Sequence, residues 1–175
     1  MAPLVLWTAR LGSGSSTWCF MDFVNLAFHE AGHLFFSPFG STLGYLGGTI
    51  LQLLVPMGLV AYFLYRRHEP FSAAICLWWV GENFINIAIY MADARSLALP
   101  LVGGGDHDWN ELFYRWGTLT QPSVKRIAGW THGIGVVVML LGLLWCFHFI
   151  QRSDRRERFR RRMAIRFPWS ERLLG

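Results

Sequence analysis

Residues 28–34 read Phe-His-Glu-Ala-Gly-His-Leu, a His-Glu-x-x-His pentad inside an otherwise apolar segment. On a helix His29 and His33 lie four residues apart and share a face, so both imidazoles can reach one tetrahedral metal ion. Glu30 stands beside the first of them. From there its carboxylate can act as general base on a metal-bound water, the chemistry that makes a nucleophile at neutral pH. The same five residues could also be polar groups packed at a helix interface.

Other residues able to do chemistry recur at helical spacing. Asp22, Asn25, His29 and His33 form one polar stripe, and Glu82, Asn86, Tyr90 and Asp93 form a second. Polar groups at membrane depth are costly and favour a functional reading, and two such stripes are expected to face each other. Gln52 is the one strong hydrogen-bonding side chain beyond Thr49 in its segment; it is expected to bond across to another helix, with support of a substrate backbone as the alternative. The loop from Leu97 to Lys125 carries Asp106-His107-Asp108, which could bind metal or cap the helix suggested by Trp109 to Trp116. His132 opens the last apolar segment and His148 lies near its far end.

The elements that must hold these groups follow from composition. Of 175 residues, 53% are hydrophobic and 15% charged, a balance that belongs in a membrane rather than in a soluble domain. Four segments reach the roughly 20 residues a spanning helix needs: Thr17–Phe36, Leu43–Tyr65, Phe71–Ala94 and Ala128–Ile150. The expected fold is an all-α bundle of four transmembrane helices, residues 1–150, followed by an Arg-rich tail, residues 151–175. Gly44 and Gly48, and Gly129 and Gly133, suit close helix packing, and Pro56 is expected to kink its span. Phe159, Met163, Phe167 and Trp169 give the tail an apolar side, so its partner is expected to be anionic lipid and not nucleic acid. Cys19, Cys76 and Cys146 sit in apolar runs and read as small buried hydrophobes. Met1 to Trp18 has no basic start and does not read as a cleaved signal.

Placing the tail on the cytoplasmic side leaves only Arg95, Arg115, Lys125 and Arg126 of the 16 Lys and Arg on the other side. His29, His33, Asp93, the Asp106–Asp108 loop and His132 then share one membrane level, and His148 falls at the opposite face. A catalytic zinc site takes three protein ligands and leaves one position open. Asp93 ranks first as the third ligand because it lies on a rigid span at that level. The Asp106-His107-Asp108 cluster comes second and His132 third. His132 could instead steady an oxyanion, as could Asn86 and Gln52. Glu82, more than two turns from Asp93, reads as a buried, paired or protonated acid.

The His29-Glu30-Ala31-Gly32-His33 pentad in a membrane segment, the Gly-rich span after it, and a later span carrying Asn86 before Asp93 resemble the site-2 protease-like intramembrane zinc metalloproteases. The likeness covers about Thr17 to Arg95. It implies His29 and His33 as zinc ligands, Glu30 as the catalytic acid/base, and hydrolysis of a peptide bond in a membrane protein or peptide substrate. A second class stays open: a non-catalytic subunit of a larger membrane complex, its histidines binding haem, a pigment or a structural metal, with His29 or His33 opposite His132 as the haem pair. A metal-ion transporter using the same stripes is a third.

Overall fold

A computed structural model describes residues 1–15, 19–101 and 106–166, with backbone alone from 153 onward. Among the described residues the regular structure is entirely helical: α1 (Ala2–Gly12), α2 (Asp22–Phe36), a 3-10 turn (Ser37–Phe39), α3 (Ser41–Tyr65), α4 (Pro70–Asp93), α5 (Asp108–Arg115) and α6 (Gln121–Arg166). Three are long and apolar enough to cross a membrane: α3, α4, and residues 121–152 of α6.

The expected first span, Thr17–Phe36, is reduced to α2. Fifteen residues at 1.5 Å each make roughly 22 Å, short of a hydrocarbon core of roughly 30 Å. Cys19 to Met21 lie outside the helix, and the Asp22 carboxylate accepts the Cys19 amide at 2.6 Å, which suits an acid in a first helical turn. Residues 16–18 lie outside the described residues. The apolar run after Met1 forms α1, whose 11 residues are too few to span a bilayer. It packs on α4 and α6: Trp78 donates to Thr8 Oγ1 at 2.7 Å, and His132 donates to the Leu11 carbonyl at 3.1 Å.

Gly40, at φ 107° and ψ 161°, turns the chain from α2 into α3, a backbone conformation that favours glycine. α3 runs through Pro56 as one continuous helix. Where α4 and α6 cross antiparallel, Gly81 lies against Gly135 and Met139, and Gly142 against Trp78. These glycines make the close seam; Gly129 and Gly133, the pair expected to do so, have nothing nearby. The short α5 is fastened by Trp109, Leu112 and Phe113, buried against Ile87 and Met91 of α4 and Val124 and Ala128 of α6. Each such side chain contributes about 1.5–3 kcal/mol. α6 continues past the expected end of its span to Arg166; the apolar side expected of the tail lies outside the described side chains. All three cysteines are buried and free.

Candidate metal centre

α2 brings His29 and His33 onto one face by their four-residue spacing, and their rings meet edge to face, 4.8 Å between centroids. α5 delivers the third group. Asp108 Oδ2 lies 2.9 Å from His29 Nε2 and 3.3 Å from His33 Nε2. His29 and Asp108 are buried, 8% and 6% exposed, and His33 is half-buried. The three ligand atoms lie within 4.8 Å of one another. Ligand atoms around a tetrahedral ion with bonds of about 2 Å stand roughly 3.3 Å apart, so the spacing fits.

Hydrogen bonds fix which ring nitrogens face the centre. The Gly44 carbonyl, which can only accept, lies 2.8 Å from His33 Nδ1. Gln52 donates its Nε2 to Asn86 Oδ1 at 2.9 Å and so turns Oε1 toward His29 Nδ1 at 3.0 Å. Both imidazoles therefore carry a proton on Nδ1 and turn Nε2 to the Asp108 carboxylate. Three possible ligand atoms converge on one point. Such an arrangement requires a cation among them, a proton or a metal ion.

Asp108 is itself held on three sides. His107 caps α5, its Nδ1 accepting the Asn110 amide at 3.2 Å, and its ring stacks on Tyr90 at 4.1 Å. Burial lowers the pKa of the His107 imidazole against the raising influence of Asp93 and Asp108. Tyr90 hydroxyl lies 3.4 Å from Asp108 Oδ2 and accepts the Asp108 amide at 3.3 Å. Asn110 Nδ2 ties α5 to the Ala94 carbonyl at the end of α4. Burial alone would raise the Asp108 carboxyl, but hydrogen bonds from His29 and His33, reinforced by their charge, hold it below the ordinary carboxylate range.

Asp93, ranked first from the sequence, does not join the group. Its Oδ1 accepts from Ser96 Oγ and the Ala98 amide at 2.6 and 2.9 Å, and its Oδ2 from the Leu99 amide at 3.0 Å. It closes the turn that leaves α4 and meets the centre only through His107, whose Nε2 is 3.6 Å away. Asp106 accepts the Tyr45 hydroxyl at 3.0 Å on the cavity wall. His132 lines a separate groove between α4 and α6 and, bonded to Leu11, does not face His29 or His33. Asn86 and Gln52 bond to each other and to neighbouring side chains, so they support a ligand rather than project freely. Of the sequence signals, the lone Gln52 in α3 did point to a cross-helix bond. Nothing in the sequence marked the Gly44 carbonyl, because every residue has one.

A cavity of about 740 Å³ opens beside the centre. His29, His33, Asp108 and Glu30 all line it, with Phe23, Leu26, Ile89 and Leu101 among its apolar walls. Glu30 is exposed there, next along α2 from the first ligand. Gly48 makes room for the centre, since a Cβ at that position would stand 2.7 Å from the His29 ring. No family model, curated protein or solved structure matches the chain.

Proposed function

We propose that the chain is an intramembrane zinc metallopeptidase of the site-2 protease-like kind, cleaving a peptide bond of a membrane-associated substrate. The observation that carries the reading is the convergence of His29 Nε2, His33 Nε2 and Asp108 Oδ2, with a base one residue from a ligand and a cavity in front of them. His29, His33 and Asp108 would hold the ion. Zinc so bound supplies Lewis acidity toward a carbonyl and lowers the pKa of a coordinated water.

The remaining work belongs to the chain. Glu30 accepts a proton from water in the cavity and returns it to the departing amine. The apolar walls receive the side chains of an extended substrate and limit water around the reacting bond. Tyr90 and His107 keep Asp108 in place. The end of the bundle bearing Arg66, Arg67 and the arginine tail faces the cytoplasm and anionic lipid.

The test is a purified chain in detergent, analysed for metal and for visible absorption, then assayed on membrane-peptide substrates. One zinc per chain with no visible band, and a Glu30→Gln variant that keeps zinc but loses cleavage, is the expected result. A Soret band, or cleavage undiminished in Glu30→Gln, overturns the proposal.

A further inference from the structure

Behind His29 a line of side chains runs across three helices and ends on the half-buried Asp22. Asn86 Nδ2 donates to Asp22 Oδ1 at 2.8 Å, beyond the Gln52–Asn86 and His29–Gln52 bonds already described. Asp22 also accepts the Cys19 amide. Glu82, 1% exposed, accepts Asn25 Nδ2 at 2.9 Å. Asn25 has no freedom to turn round, because its Oδ1 accepts the Trp79 indole N–H at 2.8 Å, and an indole nitrogen only donates.

The direction of every bond in this line is determined from its far end. The Asp22 carboxylate receives two N–H groups and only accepts. Asn86 must then offer its amide nitrogen to Asp22 and its oxygen to Gln52. Gln52 must offer its nitrogen to Asn86 and its oxygen to His29. The last acceptor leaves His29 Nδ1 to donate and turns Nε2 toward Asp108 and the place of the ion.

We infer that Asp22, acting through Asn86 and Gln52, is a positioning residue that sets the tautomer of His29 for metal binding. The inference rests on the proposed metal centre and assigns to it a support three side chains away. An ordinary helix-packing network would stabilise the bundle without depending on which end of each amide points where. A tautomer-setting network depends on that polarity and survives an exchange of charge along the line. An acceptor moved from position 22 to position 86 still receives Gln52 Nε2.

The experiment measures zinc affinity of the full chain in micelles by competition with a chromophoric chelator. Asp22→Asn is expected to weaken zinc binding 10- to 100-fold, the usual effect of losing a partner behind a ligand. Asp22→Asn combined with Asn86→Asp is expected to recover most of it. Nitrogen-15 spectra of histidine-labelled wild type, zinc-loaded, are expected to show His29 protonated at Nδ1. Equal affinity in wild type and Asp22→Asn, no recovery in the double variant, or a metal-bound Nδ1 at His29 each overturns the inference. A wild-type chain that takes no zinc overturns the metal centre itself.

Discussion

The two faces of α4 use the same helix for opposite purposes. Toward α6 it presents Ala74, Trp78, Gly81 and Ile85, and the contact is dry: Gly81 and Gly135 bring backbone against backbone, and Met139 is fully buried beside them. Toward α2 and α3 it presents Glu82, Asn86 and Tyr90, each bonded to a side chain of another segment. Glycine appears in both contacts. On the α6 side it lets two backbones touch, whereas Gly48 gives up its side chain to seat an imidazole. The first contact gains dispersion energy and can be disturbed with a local loss of stability. In the second, every polar group depends on its neighbour, and a disturbance is transmitted to the ligands.

The largest expected effect separates the two aspartates. Asp108→Asn should abolish stoichiometric zinc binding, measured by metal analysis after gel filtration, while Asp93→Asn should keep one zinc per chain and lower the melting temperature through lost turn hydrogen bonds of about 1 kcal/mol each. Zinc lost from Asp93→Asn but kept by Asp108→Asn would reverse the assignment. Next, Phe113→Ala should destabilise the docking of α5 by about 3–5 kcal/mol, and zinc affinity should fall with it because Asp108 rides on that helix. Unchanged affinity would show that Asp108 is held without its apolar anchors.

A direct contrast of the faces comes from two alanines. Gly48→Ala places a methyl against His29 and should weaken zinc binding at least 10-fold, whereas Gly135→Ala, which crowds Gly81 and Ile85, should lower thermal stability and leave the affinity of the folded protein intact. Equal zinc affinities in the two variants would erase the distinction. The smallest effect is in pH. Histidines bind metal when neutral, and the hydrogen bond to Asp108 raises the His33 imidazole to about 9, so protons compete with zinc through the neutral range and zinc should leave as pH falls. Asp108, whose folded pKa is depressed, contributes stability that is complete above its unfolded value of about 3.9 and is lost only as pH falls through the lower folded value. Titration by metal release and by circular dichroism should therefore show zinc departing before α5 loosens.

The pentad and both polar stripes were legible because helical periodicity is local: four residues make about one turn whatever surrounds them. The meeting of the stripes was legible too, since polar groups at membrane depth must find partners, and Asn25 with Glu82 and Asp22 with Asn86 do so. The break before α2 was not. An apolar run reads as continuous even where Cys19 to Met21 leave the helix. α1 escaped notice because its 11 residues are too few for a span and reveal their purpose only against Trp78 and His132.

Sequence by itself determined that His29 and His33 share a helical face with Glu30 beside them and that the chain has membrane-helix character, all consequences of spacing and composition. Tertiary structure alone decided which acid joins the two histidines. Asp93 and Asp108 were both acids at one membrane level, and nothing local distinguishes them. The chain reversal after α4 consumes Asp93 with its own amides, and the packing of Leu112 and Phe113 swings Asp108 over His29 and His33. A ligand 75 residues from its partner is chosen by where the backbone turns, and the energy of that turn is distributed over contacts that no motif records.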